Sequence, residues 1–180
     1  TDLMATDGWF TDKILIQWNG TPGATHYMLS GSDNPEGNNK YSITGWQENL
    51  SFEYSASPGQ TVYFWVAAAK SSGGYHATDF AGPEEGWRAM KAPENLYATD
   101  GNYTHWVRVE WDAIPGVDYY QVYRAQMKSD PRKEISGWIK NNYFNDIASV
   151  PGRTYYYWVK ARSDVNGTRI SGYSNTDEGF

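Results

Sequence analysis

Catalysis needs a nucleophile beside its base, paired carboxylates in a cleft, or a cluster of metal ligands. The chain has three His and no Cys, no closely spaced His pair and no Gly-x-Ser-x-Gly elbow. No catalytic residue, cofactor or metal is therefore expected. The Asp7-Gly8 and Asp100-Gly101 dipeptides, with Glu84-Glu85 and Asp177-Glu178, are the one set of oxygens to weigh for calcium at a module junction. Their spacing matches no ligand loop, and turn chemistry with solvated charge accounts for them better. What the chain has in excess is aromatic rings, with 9 Trp and 15 Tyr. An aromatic ring can stack on the C–H face of a sugar or take a partner's side chain, joining apolar area to polar edges.

The elements that must position these rings occur twice. Pro58-Gly59-Gln60-Thr61-Val62-Tyr63-Phe64-Trp65-Val66-Ala67-Ala68 returns at an offset of 93 as Pro151-Gly152-Arg153-Thr154-Tyr155-Tyr156-Tyr157-Trp158-Val159-Lys160-Ala161. Each copy reads as a Pro-Gly turn feeding a long strand of β-branched and aromatic residues. The same offset carries Ala5-Thr6-Asp7-Gly8 to Ala98-Thr99-Asp100-Gly101, Trp18 to Trp111, Tyr27 to Tyr120, and Glu85-Gly86-Trp87 to Glu178-Gly179-Phe180. Ile43-Thr44-Gly45-Trp46 returns as Ile135-Ser136-Gly137-Trp138, one residue out of step. The chain is two copies of one module, residues 1–88 and 93–180. The three histidines align with Tyr119, Arg169 and Asp12, so none is a fixed feature of the module.

Within each copy, Lys13 to Trp18 and Trp106 to Trp111 alternate, with Ile14, Ile16 and Trp18, or Val107, Val109 and Trp111, on one face. Period two with one apolar face is a half-buried strand. His26 to Ser30, Tyr119 to Tyr123, Leu50 to Tyr54 and Asn142 to Asp146 are further strands. Gly31 to Lys40 and Ala125 to Lys133 read as loops. Gly73-Gly74 and Asn166-Gly167 supply turns before final strands at Tyr75 to Phe80 and Thr168 to Tyr173. With no sustained helical period anywhere, the chain is predicted to be all-β, about seven strands per module.

Net charge is −6. Residues 1–91 carry 5 Lys/Arg against 10 Asp/Glu, and residues 92–180 carry 10 against 11. Neither half has a basic stripe, so nucleic acid is not expected as a partner. No apolar run approaches the roughly 18 residues of a membrane span, so no membrane insertion is expected. The chain starts at Thr1 without a signal peptide, so it is expected to be either processed or an excised fragment. An end that coincides with the end of the repeat favours excision from a longer array, with neighbouring domains of a larger polypeptide as expected partners. The fragment itself is expected to be a monomer.

Trp in the second strand, Tyr in the third, Pro-Gly-x-x-Tyr-x-aromatic-x-Val-x-Ala in the sixth, then Ser171-Gly172-Tyr173-Ser174, together resemble fibronectin type III modules, over the whole chain twice. The resemblance implies two tandem immunoglobulin-like β-sandwiches. The Tyr-Tyr-Tyr-Trp-Val-Lys-Ala version, with Ile-Ser-Gly-Trp before it, resembles bacterial modules that decorate secreted, often polysaccharide-degrading, proteins; this implies an extracellular, secreted or cell-surface, setting. In that family the first Tyr of the sixth strand makes the tyrosine corner, its hydroxyl bonding back to nearby backbone. Tyr155 can do so and Val62 cannot, so the first module is expected to lack that bond, a loss of order 1 kcal/mol. The short connection Arg88 to Pro93 is expected to restrict the angle between modules, giving a semi-rigid rod.

If Tyr155, Tyr157, Val159 and Ala161 point inward, then Tyr156 and Trp158 point out, as do Tyr63 and Trp65 in the first module. Tyr119 and Tyr123 face the same way on the adjacent strand. Either this aromatic face is open to ligand, or Trp46 and Trp138 and their preceding loops fold over it as a second small core, the expectation favoured here. Trp9 aligns with Asn102 and Trp106 with Lys13, so the module folds without either. An outward Trp that the scaffold does not need is an interface between modules or a ligand platform. The candidate binding residues are therefore Trp9, Trp106, Tyr119, Tyr123, Tyr156, Trp158, Tyr63 and Trp65, with polysaccharide as the candidate ligand and a spacer that binds no sugar as the alternative.

Overall fold

Local alternation builds two sandwiches. The structure, a computed structural model, describes residues 2–163 and 169–180, and the chain divides into two units, Thr1–Ala89 and Met90–Phe180. In the first, β1 (Leu3–Ala5), β2 (Ile14–Trp18) and β5 (Ser51–Tyr54) form one sheet in the order β1-β2-β5. Opposite it, β3 (His26–Ser32), β4 (Tyr41–Ser42), β6 (Thr61–Ala69) and β7 (Ala81–Trp87) form a second in the order β4-β3-β6-β7. The second unit repeats this with β8 (Tyr97–Ala98), β9 (Val107–Glu110) and β12 (Tyr143–Asp146) in one sheet, and β10 (Tyr119–Ala125), β11 (Lys133–Glu134), β13 (Tyr155–Arg162) and β14 (Asp177–Gly179) in the other. All strand pairs are antiparallel. Among the described residues no helix is long and apolar enough to cross a membrane.

Each core is what the period-two pattern dictates. Ile14, Ile16, Trp18, Tyr27, Leu29, Val62, Phe64 and Val66 are buried together in the first module. Val107, Val109, Trp111, Tyr120, Val122, Tyr157 and Val159 are buried together in the second, joined by Met90. Each such side chain contributes roughly 1.5–3 kcal/mol on leaving water. At the module ends, Gly8 sits at φ 70° and a Cβ there would fall 2.1 Å from the Trp87 ring. The angle disfavours a residue with a side chain and the Trp87 ring leaves no space for one.

Side-chain hydroxyls pin the strands at the same points in both copies. Leu15 N donates to Thr6 Oγ1 and Arg108 N to Thr99 Oγ1. Leu29 N donates to Thr44 Oγ1 and Val122 N to Ser136 Oγ. Ala68 N donates to Thr78 Oγ1 and Ala161 N to Ser171 Oγ. These last bonds explain a difference from the sequence reading. The final strands are Ala81–Trp87 and Asp177–Gly179, not Tyr75–Phe80 and Thr168–Tyr173, because Thr and Ser oxygens take ladder positions from backbone carbonyls and interrupt the regular strand. The Asn166-Gly167 turn and the start of Thr168–Tyr173 lie outside the described residues.

A tyrosine of the third strand bonds to backbone in both modules. Thr21 N donates to the Tyr27 hydroxyl at 2.9 Å, and Ile114 N to the Tyr120 hydroxyl at 2.8 Å. Both modules share this third-strand bond, which is separate from the sixth-strand bond expected of Tyr155 and one that Val62, with no hydroxyl, cannot make. Tyr155 is buried with the Arg124 guanidinium 4.5 Å from its ring centre.

Candidate functional site

The outer face of each four-stranded sheet carries most of the residues singled out by strand arithmetic, and their rings are met by cations. Trp65 is 5% and Trp158 4% exposed, so neither is an open platform. Lys40 places its ammonium 4.6 Å from the Trp65 ring centre and 5.1 Å from that of Phe80. Arg132 lies 4.8 Å from the Trp158 ring centre and 4.2 Å from that of Tyr173, which Lys160 also meets at 4.2 Å. Lys128 stands over Tyr156, and Lys140 and Arg162 over Tyr119. Tyr123 meets the Tyr173 ring edge-on and donates to Gln121 Oε1. Tyr63 is half-buried, paired across the sheet with Glu85. A Tyr156 hydrogen bond with Glu178 raises its hydroxyl pKa.

The cover over this face comes from the loops that precede Trp46 and Trp138, where it was expected, but it is made by cations as well as rings. Trp46 lies against the Gly74 turn, where a Cβ would come within 2.6 Å of its Nε1, and Trp138 lies against Arg162. The cations that meet Trp65 and Trp158 come from the Gly31–Lys40 and Ala125–Lys133 stretches. Long cationic side chains combine an apolar stem with attraction to the ring face, so they cover indoles that another Trp would cover only by packing.

On the opposite side, the outer face of each three-stranded sheet, rings stay open. Trp9, in the β1–β2 connection, is 80% exposed and borders a cleft of about 330 Å³ with Met4, Leu15, Gln17, Asp7 and Glu84. Trp106 is half-buried because Tyr103 stacks on it, with ring centres 5.1 Å apart and planes 25° apart. Trp9 thus faces out as its unpaired place in the repeat suggested, and the stacking partner of Trp106 was not foreseen. Nor were Tyr97 and Tyr143, exposed on the same face of the second module. The signal was available: Tyr97 aligns with Met4 and Tyr143 with Ser51, both outward positions of strands whose neighbours point in.

Among the described residues the three histidines lie apart, each in its own local setting. His26 Nδ1 bonds to Thr25 Oγ1, His76 meets the Tyr75 ring edge-on, and His105 is exposed. Among the described residues no group of three or more His or acidic side chains converges to hold a metal. The buried carboxylate of Asp146 is occupied by Arg124, Tyr157 and the Ala148 amide.

No protein-family model and no curated protein sequence matches the chain. Solved structures do. A two-domain fibronectin type III segment from chicken tenascin matches with a TM-score of 0.74 at 17% identity, covering 99% of this chain and 97% of that one. An Fn3-like protein from Clostridium thermocellum matches at 27% identity over 49% of this chain and 88% of its own, TM-score 0.44. The FN1–FN3 domains of chicken CNTN1 match at 14% identity over 99% of this chain and 65% of their own, TM-score 0.42. The fold is that of two tandem fibronectin type III sandwiches.

Proposed function

We propose that this chain is a non-catalytic accessory region of a secreted, polysaccharide-degrading bacterial protein, and that it holds a glycan weakly through an aromatic platform. The observation that carries this reading is Trp9: an indole 80% exposed, absent from the equivalent position of the other module, bordering a cleft with an apolar floor and a rim of amide and carboxylate groups. Such a cleft suits a sugar ring, whose C–H face stacks on the indole and whose hydroxyls donate to Gln17 and Glu84. The first module carries twice as many acidic as basic residues, which disfavours anionic polysaccharides and leaves neutral ones. A single stacked ring supports an affinity of roughly millimolar order, about 4 kcal/mol. Tethering to an enzyme that acts on the same polymer raises the effective substrate concentration and makes weak contacts useful.

Affinity electrophoresis through gels containing cellulose derivatives, xylan, mannan or β-glucan tests this. Retardation by one neutral polymer, reduced in a folded Trp9→Ala variant, is the expected result. Retardation by none would leave the competing reading, a spacer with no sugar ligand. That reading is favoured by the cation-covered rings of the four-stranded sheets, where Lys40 and Arg132 meet Trp65 and Trp158.

A further inference from the structure

We propose a second saccharide site, in the second module, between Tyr97 and Tyr143 on the outer face of the three-stranded sheet, taking a run of three linked neutral pyranose rings. It shares its ligand class with the Trp9 reading and none of its residues.

The sheet register makes the site. Tyr97 pairs with Glu110 across β8 and β9, and Tyr143 pairs with Glu110 across β12 and β9. The three side chains form one row, pointing away from the core because Ala98, Val109 and Phe144 beside them point into it. Tyr97 is 49% and Tyr143 37% exposed. Two strand spacings separate them, about 10 Å, a span longer than the step between adjacent pyranose rings and suited to the first and third of three linked rings. A cleft of about 300 Å³ lies along the row.

The polar groups of the cleft are held in place before any ligand arrives. The Arg108 guanidinium lies 4.1 Å from the Tyr143 ring centre, fixing that ring, and its Nε donates to the Glu110 carboxylate. Asn95 Nδ2 donates to Asp112 Oδ2 at 2.7 Å, and Asn142 Nδ2 donates to the Trp111 carbonyl at 3.1 Å. Each of these side chains keeps further hydrogen-bonding capacity, since a carboxylate or an amide accepts more than one bond. Held donors and acceptors between two rings reduce the ordering cost of binding. Charge narrows the ligand. Arg108 is neutralised by Glu110, and the remaining Asp112 is negative, so the cleft offers nothing to a phosphate or uronate. Its walls are mostly polar, which does not suit an apolar side chain from a protein partner.

The first module supplies a control. At the positions of Tyr97, Arg108, Glu110 and Tyr143 it has Met4, Leu15, Gln17 and Ser51 on the same sheet with the same register. The sandwich does not need these tyrosines, and Tyr97→Met and Tyr143→Ser are substitutions its counterpart already tolerates.

The test uses the full ¹⁵N-labelled chain titrated with cello-, xylo- and manno-oligosaccharides from one to six rings. Shifts at the Tyr97, Glu110 and Tyr143 amides are expected with one series. They should grow sharply from disaccharide to trisaccharide, persist in Trp9→Ala, and weaken about tenfold in affinity in Tyr97→Met or Tyr143→Ser with the Val159 and Val109 amides unmoved. If shifts are confined to the Trp9 region and vanish in Trp9→Ala, the first site stands and this one falls. Should the second module shift while both tyrosine variants bind like the parent chain, the assignment to this row is overturned. Shifts along the row alone, indifferent to Trp9→Ala, would uphold this site and remove the other. Absence of shifts anywhere removes both.

Discussion

The two modules fill one volume with opposite chemistry. In the second, Arg124 pairs across the sheet with Tyr157, and both reach Asp146, which is 2% exposed. Asp146 Oδ2 accepts from Arg124 Nη1 at 2.5 Å and from the Tyr157 hydroxyl at 3.0 Å, while Oδ1 accepts from Ala148 N at 3.1 Å. Burial first, and then the Asp146 charge, push the Tyr157 pKa well up. In the first module the same cross-strand pair is Gly31 and Phe64, and Tyr54 stands where Asp146 does. Tyr41 occupies the space that Gly31 leaves, its hydroxyl 3.0 Å from where a Cβ would be, and it bonds to the Tyr54 hydroxyl at 3.0 Å. The Tyr54 ring meets Phe64 edge-on at 5.7 Å. The sandwich thus specifies a volume at this point and leaves its polarity open. The polar solution is stable only when complete, because each member left alone is an unpaired buried group.

The largest effect should come from breaking that completeness. Asp146→Ala leaves Arg124 and the Tyr157 hydroxyl without their shared acceptor, and is expected to cost the second module about 3 kcal/mol, in the range for severed buried pairs. Hydrogen exchange at second-module amides under native conditions reads this without interference from the first. Transplanting the other solution, Arg124→Gly with Lys133→Tyr, Asp146→Tyr and Tyr157→Phe together, should recover most of the loss. A combined variant no more stable than Asp146→Ala would break the claim that only volume is specified. Next in size, Tyr157→Phe removes one hydrogen bond to a charged group and should cost about 1.5 kcal/mol. Tyr54→Phe removes an exposed hydroxyl contact and should cost less than about 0.5 kcal/mol. The raised Tyr157 pKa adds a sign. Its contribution is complete below the ordinary tyrosine value of about 10 and is lost as pH rises beyond it, so second-module stability should fall on the alkaline side. Tyr157→Phe should flatten that fall.

This contrast also marks where the sequence stops being legible. The fold was readable because an offset of 93 repeats and alternation fixes which side chains face in: Ile14 and Val107, Tyr27 and Tyr120. Trp9 was readable because its partner in the repeat is Asn102. That loops close over Trp65 and Trp158 was readable from the recurrence of the Gly-Trp element; that Lys40 and Arg132 do so was not, since no periodicity encodes the path of a loop. The outward positions of Tyr97 and Tyr143 were readable from the repeat, but their joining in one row with Glu110 was not, because it depends on the register between three strands. Asp146 looked like an ordinary polar strand end, and only three-dimensional pairing shows it buried.

A smaller difference separates the modules at their final strands. Val159 N donates to Ser174 Oγ at 2.9 Å, whereas the aligned residue of the first module, Ala81, already begins regular strand β7 and pairs with Val66. Ser174→Ala should therefore cost only about 1 kcal/mol, since the segment can adopt the ladder its counterpart has. Ser171 has a hydroxyl counterpart in Thr78, and both accept from the sixth-strand amide. Ser171→Ala should cost more, toward 2 kcal/mol, because the module shows no alternative acceptor for Ala161 N. Equal losses in chemical denaturation would dissolve the distinction.

The smallest effect concerns the acidic end of the second module. Partial burial, followed by the charges of Asp177 and Glu178, raises the Asp100 pKa. The folded state therefore holds that proton more tightly than the unfolded one. Its contribution favours folding at pH values below the ordinary aspartate range, and turns against it as pH rises through the folded value. At neutral pH, Asp100→Asn should stabilise the second module by a few tenths of a kcal/mol, no more, because the group is exposed and screened. The gain should vanish near pH 3 and shrink in high salt. A gain that persisted at both would locate the effect in the Asp100-Gly101 turn, where Gly101 N donates to the Phe180 carbonyl, and away from charge.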